Sequence, residues 1–232
     1  MDETNQFRIG FLNMGIEIDN LRNYPKSNRD LTARIEKKSE ESRLIARQFD
    51  KDYFDGTRDH GYGGFSYNPR FWTPVIPDLV KRYELGSDSK VLDVGCAKGF
   101  FLHDLKEQIP GISVSGLDIS EYAISNSMSS ISPFVKVGNA TRLPYADNSF
   151  DFVMSINTVH NLNREDCAIA LQEIERVSKK NSFVTVDAYR NESEKERMEA
   201  WNLTALTMMS CDEWVRFFDE VGFNGDYYWF IP

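Results

Sequence analysis

Gly95 and Gly99 stand on either side of Cys96, Ala97 and Lys98, directly after the short apolar run Val91-Leu92-Asp93-Val94, which carries an acid at Asp93. Glycines at this spacing after a strand let the backbone approach a ligand with no Cβ in the way. The amides that open the following helix can hydrogen-bond an anionic group. A second acid, Asp118, closes the stretch Gly116-Leu117-Asp118 about 20 residues further on. A carboxylate at the end of a second strand can accept hydrogen bonds from both hydroxyls of a ribose. Loop and acid together read as a site for a nucleoside-bearing cofactor, either nicotinamide or adenosyl. The loop departs from the dinucleotide spacing G-x-G-x-x-G, because Ala97 stands at the second glycine and Gly99 comes one residue early. By itself it is also compatible with a plain strand-to-helix turn.

These residues need elements to position them. From Val75 the apolar pattern alternates between helix-like and strand-like segments. Helices are expected at 75–85, 100–108, 121–130, 164–179 and 211–222, with Asn163 capping the fourth and Gly222 closing the fifth. Strands are expected at 90–95, 113–120, 134–140, 150–157, 182–188 and 226–230. Such alternation predicts an α/β, Rossmann-like, doubly wound and mostly parallel sheet with helices on both faces. Its ligands lie beyond the carboxyl ends of the strands, at the switch point. Residues 190–210 read as a helical insertion near that edge. Residues 1–74 read as an N-terminal helical and loop lid segment ahead of a main domain at 75–232. Within it, 24–54 is expected to be one long helix, with Leu31, Ile35, Ile45 and Phe49 broadly on one side. Residues 54–74, rich in Gly and Pro, form an aromatic loop carrying Phe65, Tyr67, Phe71 and Trp72.

The chain has 232 residues and a formal net charge of −9. That charge argues against a broad nucleic-acid surface, which needs a basic face. No window is apolar for the roughly 18 residues that a membrane helix requires, and the polar, acidic N-terminus has no signal-peptide pattern. Cys96, Cys167 and Cys211 are far apart, so no disulfide framework or zinc ribbon is indicated. A reducing cytoplasm suits such a composition. The oligomeric state is open, and a homodimer is compatible with the sequence.

The order and spacing of "VLDVGCAKG", "GLDIS", "GNATRLPYADNSFDFVMS" and "NTVHNL" resemble the class I S-adenosylmethionine-dependent methyltransferases, over roughly Val75 to the C-terminus. In that family the turn is G-x-G-x-G, so Ala97 is a small substitution at the middle glycine. The resemblance implies S-adenosyl-L-methionine as cofactor and roles for individual residues. Asp93 supports the loop and the methionine ammonium, while Gly95, Cys96, Ala97 and Gly99 line the methionine moiety. Asp118 holds the ribose, Ile119 flanks the adenine, and Asn139 and Ala140 address the adenine edge. Asn157 faces the methyl group or the acceptor. The usual acid is replaced at Asn139, whose amide oxygen can still accept from an adenine amino group. The family also ends in a sixth and a seventh strand paired as a hairpin. Here either the seventh strand is missing or 203–210 supplies it.

Methyl transfer from a sulfonium asks mainly for proximity and orientation, and a base is needed only if the acceptor arrives protonated. His160 follows the fourth strand and is a candidate base or acceptor ligand, against a packing role; His60 in the aromatic loop is a second candidate. His103 reads as structural. Tyr62 could reach the cofactor carboxylate, and Arg58 or Arg70 an anionic acceptor. Asp187 with Asn157 is too small an oxygen set for a metal site. The leading expectation is a methyltransferase acting at oxygen or nitrogen of a small polar metabolite, such as a sugar derivative. Two other readings stand beside it: a protein or RNA methyltransferase that docks through residues 1–74, and a binding partner without turnover.

Overall fold

The computed structural model describes residues 15–25, 39–57, 59–61 and 66–231. The expected alternation is present from Ile76 onward. Helix α3 (Ile76–Tyr83) precedes β1 (Lys90–Val94), α4 (Phe100–Gln108), β2 (Ser113–Asp118), α5 (Glu121–Ser125), β3 (Val135–Val137), β4 (Phe150–Ile156), α6 (Arg164–Val177) and β5 (Ser178–Tyr189). Helix α7 (Glu192–Trp201), β6 (Met209–Ser210), α8 (Cys211–Val221) and β7 (Asp226–Phe230) complete the order. Neighbouring strands run β3-β2-β1-β4-β5-β6, with β7 also beside β5. Every pairing is parallel. The order reverses between β1 and β4, which places the switch-point crevice at their carboxyl ends.

Both faces of the sheet are covered, which is why its strands read as near-continuous apolar runs. Leu92, Val94, Val153, Val184 and Val186 pack with α6 and α8 through Leu171, Ile174, Trp214 and Phe218. Val91, Phe152, Met154 and Phe183 pack on the other side with α3 and α4 through Ile76, Leu79, Phe101 and Leu105.

Three expectations change. The long helix is not continuous: α1 (Glu40–Ala46) and α2 (Lys51–Asp55) are separated at Phe49, whose φ is 50°. Local chemistry explains the break. Ser39 caps α1 by accepting from the Ser42 amide, and Asp50 caps α2 by accepting from Lys51. Residues 26–38, with Leu31 and Ile35, lie outside the described residues. Beyond α7 the insertion leaves the helix. Asn202 Oδ1 accepts from the Thr204 and Ala205 amides and folds the chain into a turn leading to β6. The terminal hairpin is also replaced. Strand β7 pairs with β5 from Phe183 to Asp187, and β6 takes Ala188 and Tyr189. Twelve-residue β5 is long enough to carry both in succession, and no antiparallel partner separates them among the described residues.

The outer edge of β7 is covered by the chain's own N-terminal segment. Tyr227 N donates to Ile16 O at 3.1 Å and Ile18 N donates to Tyr227 O at 2.9 Å. Asp226 gathers this edge: it accepts from Ile16 N at 3.0 Å, from Arg82 Nη2 at 2.6 Å and from the Tyr83 hydroxyl at 3.0 Å. The aromatic loop is a cover too. Trp72 meets Phe101 with ring centroids 5.2 Å apart, and Asp104 accepts from Tyr67 and Thr73 hydroxyls. The bond to Asp104 pushes the Tyr67 hydroxyl up to about 12. Phe65 lies outside the described residues.

Asp226→Asn keeps the shape and removes the charge that faces Arg82. The two side chains are 30% and 13% exposed, so solvent screening holds the expected loss to about 1–2 kcal/mol. A urea midpoint equal to that of the natural protein would show that this carboxylate does not hold the edge.

Candidate functional site

Strand β1 delivers the chain into a loop with left-handed backbone at Gly95 (φ 86°), Ala97 (φ 49°) and Gly99 (φ 76°). A Cβ on Gly95 would collide with the Thr158 side chain at the exit of β4, so this glycine is required by the chain itself as well as by any ligand. Ala97 adopts the conformation at a cost of about 1 kcal/mol. The strained residue turns its amide toward Asp118, whose Oδ2 accepts from Ala97 N at 2.8 Å while Oδ1 accepts from Ser120 N at 2.9 Å. Loop and acid are thus one hydrogen-bonded unit. Burial raises the pKa of Asp118, against the opposing pull of those two amides. Each carboxylate oxygen keeps further acceptor capacity.

Asp93 lies one strand over. It is 5% exposed and makes no side-chain hydrogen bond among the described residues. Burial first, and the charge of Asp118 second, push its carboxyl up to about 8. A buried acid of this kind needs a cation or a donor to complete it. Cys96 is buried beside them, and burial holds its thiol well above the usual range, so it is no nucleophile.

The exits of β2 and β3 carry the other expected residues. Ile119 is apolar yet 54% exposed, which suits a platform for a flat ring. Asn139 is exposed, and its Oδ1 accepts from Thr141 N at 3.0 Å, so one of its two lone pairs is spent locally. Ala140 is buried in the core. At the exit of β4, Asn157 (φ 50°) accepts from the Thr185 hydroxyl at 2.8 Å. Its side-chain Nδ2 makes no hydrogen bond among the described residues, while its backbone N donates to Thr185.

His160 is drawn into the structure. Its Nδ1 accepts from Asp187 N at 3.0 Å, its Nε2 is 3.7 Å from Asp187 Oδ2, and it is 3% exposed. Burial lowers its pKa, outweighing the pull of Asp187. The ring is therefore neutral with its lone pair already occupied, which corrects the reading of His160 as a base. Its carbonyl accepts from Leu206 and Thr207 amides, so the residue shapes the loop after α7. His103 bonds Ser130. His60 is half-buried, and its ring makes no hydrogen bond among the described residues. Tyr62 and Arg58 lie outside the described residues. Arg70 is exposed, with its guanidinium 4.8 Å from the Phe71 ring.

A lid from residues 1–74 is expected from the sequence, but its fastenings as a strap over this crevice are not. At one end Arg43 donates to Glu199 O and Asn202 O, capping the last turn of α7. At the other, Asp55 accepts from Lys98 Nζ at 2.5 Å and from the Tyr122 hydroxyl at 2.7 Å. Burial would raise the pKa of Asp55, but Lys98 and Tyr122 bring it below the ordinary value. Helices α1 and α2 so run from beyond β5 to the exits of β1 and β2. Lys98 sits in the glycine loop, but nothing in its neighbourhood in the sequence points to Asp55.

Residues 92–186, from β1 to β5, match the model of the family described as a methyltransferase domain. Over these residues the chain is similar to S-adenosylmethionine-dependent methyltransferases. An uncharacterised protein of Haemophilus influenzae is 30% identical over 159 residues, covering 63% of this chain and 62% of that protein. The demethylmenaquinone methyltransferase of Halalkalibacterium halodurans is 34% identical over 109 residues, 44% of each chain. The chain thus spans less than two thirds of these relatives. Among solved structures, a complex between the Haloferax volcanii Trm112 methyltransferase activator and a methyltransferase aligns with TM-score 0.51 at 23% identity, covering 62% of this chain and 65% of that one. That likeness bears on the fold. The cofactor that this similarity implies is S-adenosylmethionine, and the residues present fit it: an uncompleted acid, a loop opened by glycine, a carboxylate with spare acceptor capacity and an exposed apolar platform.

Two substitutions test the geometry of the methyltransferase domain. Ala97→Gly relieves the left-handed alanine at some cost in chain entropy, for a net gain of about 0.5–1 kcal/mol in a urea titration. A loss of stability would contradict the strain. Lys98→Met frees Asp55, so amide exchange in 51–55 speeds up while β1 and β4 stay protected. Equal exchange in both proteins would rule out an ion-paired strap.

Proposed function

We propose that this protein moves the methyl group of S-adenosylmethionine to an oxygen or nitrogen of a small polar acceptor, a sugar derivative being one such class. The observation that carries the reading is Asp93, a buried carboxyl without a partner among the described residues, set beside the Asp118 and Ala97 unit. In this proposal Asp93 takes the methionine ammonium, the loop backbone of Gly95 to Gly99 lines that moiety, and Asp118 takes the ribose hydroxyls. Ile119, Ala140 and Asn139 frame the adenine. The bound cofactor supplies a methyl group on sulfonium, already joined to its leaving group.

The work left to the chain is placement. Asn157 offers its side-chain Nδ2 at the exit of β4. His160 is a positioning residue that locks Asp187 and the backbone at 206 and 207. If the acceptor arrives protonated, His60 is the histidine whose ring makes no hydrogen bond among the described residues, and it would serve as base. The strap narrows the approach, and a net charge of −9 repels nucleic-acid phosphates. Both favour a small acceptor.

Calorimetry with S-adenosylhomocysteine tests the cofactor assignments. Asp118→Ala removes a charged acceptor from two hydroxyls, worth about 3 kcal/mol or roughly 100-fold in affinity; unchanged affinity would refute the ribose contact. Asp93 carries its proton at pH 7, because its pKa is raised to about 8. An ammonium favours the carboxylate, so binding at pH 7 releases a proton and tightens as pH rises toward 8. The same sign makes the ligand-free fold lose stability as pH climbs from the ordinary carboxylate range through 8. Asp93→Asn should abolish the buffer-dependent heat of binding, and a proton release that survives in it would place the linkage elsewhere. With labelled methyl donor, transfer into small molecules is expected from a cell extract; label confined to RNA or protein would overturn the small acceptor.

A further inference from the structure

Arg47 follows α1 one turn beyond Arg43, and its Nε is buried with no hydrogen-bond partner among the described residues. No ion pair involves its guanidinium among the described residues. Other described arginines differ. Arg22, Arg82, Arg164, Arg176 and Arg190 face carboxylates, and the unpaired Arg142 and Arg216 stand in solvent. Burying a guanidinium nitrogen without an acceptor is costly, and such groups persist where a ligand or water completes them.

Position along the strap says where the ligand would lie. Residues four apart on a helix share a face, and Arg43 on that face reaches the end of α7. Ser42 and Ala46 beside them are buried, so this side of α1 turns inward. From here the strap proceeds to Lys98 and Tyr122. Because β4 stands between β5 and β1 in the sheet, the span from Arg43 to Asp55 crosses the exit of β4. That exit holds a second uncompleted atom, Asn161 Oδ1, buried and without a partner among the described residues, while Asn161 Nδ2 donates to Asn157 O at 3.2 Å. A cationic donor and a neutral acceptor are thus left open on the path the strap bridges.

We infer that Arg47 is the anion-recognising corner of the acceptor pocket, and that the acceptor is a small molecule bearing a carboxylate or phosphate together with a hydroxyl or amine for Asn161 Oδ1. A guanidinium matches either oxyanion with paired N–H donors. The inference rests on the proposed methyl transfer and adds a substrate class to it. It moves the anion contact from the exposed Arg70 to a residue inside the strap.

The test uses the whole protein saturated with S-adenosylhomocysteine and titrated with sodium phosphate or sodium acetate at constant ionic strength, read by tryptophan fluorescence. A saturable response to one or both anions is expected, and the stronger arm names the oxyanion. Arg47→Gln should weaken that response at least about tenfold, Arg47→Lys should retain part of it, and both should bind S-adenosylhomocysteine within about twofold of the natural protein. No saturable response in the natural protein, or an equal one in Arg47→Gln, overturns the inference. A tenfold loss of S-adenosylhomocysteine affinity in Arg47→Gln also overturns it, by assigning the guanidinium to the cofactor. Should Arg47→Gln fail to fold, phenylglyoxal labelling of the natural protein decides: phosphate or acetate must protect Arg47, and unprotected labelling counts against the site. If S-adenosylhomocysteine does not bind at all, the proposed function fails, while anion titration of the free protein still reads Arg47.

Discussion

A carboxyl buried at the end of β1 with nothing described to pair it is the constraint around which this site is arranged. Asp93 is set in the sheet between apolar neighbours, and the second acid, Asp118, sits at the end of the next strand. Two acids this close cannot both be charged cheaply in a dry place. The structure treats them differently. Asp118 receives two backbone amides, one of them from a residue bent into left-handed backbone to supply it. Asp93 receives none among the described residues, and burial with the charge of Asp118 raises its pKa to about 8. In the proposed methyl transfer Asp118 takes hydroxyls and Asp93 takes a cation.

Access to these acids is shaped by segments far away in the chain. The strap of α1 and α2 is fastened by a guanidinium on the bare carbonyls of α7 and by a carboxylate shared between Lys98 and Tyr122. Each fastening ties the N-terminal portion to a loop at the carboxyl edge of the sheet. The segment at 16–18, by contrast, seals the far edge beside β7, where an unpaired strand would otherwise expose its backbone. The described parts of residues 1–74 thus do two jobs, closing the sheet laterally and bridging its mouth.

Much of this was legible in the chain. Alternating runs of period two and period 3.6 mark the strands and helices of the parallel sheet, and the ends of those strands mark where a ligand goes. Gly95, Gly99 and Asp118 are recognisable because local backbone geometry dictates their residue types. Harder features were those in which local signals compete. The run from 24 to 54 has helical composition throughout, yet Ser39 and Asp50 inside it start helices of their own. Residues 203–208 are rich in helix formers, but Asn202 captures their first amides in a turn.

What the sequence determined by itself, then, is the class of fold, the crevice and the loop-and-acid pairing, since all three follow from periodicity and from short-range steric limits on the backbone. Tertiary structure alone decided which polar groups are completed by the protein and which are left open. His160 looked available and is consumed by Asp187, whereas Arg47 is partly enclosed without an acceptor among the described residues. Hydrogen-bond satisfaction depends on neighbours brought together across long separations in the chain, and burial sets its energetic weight. Neither can be read from a residue and its sequence neighbours.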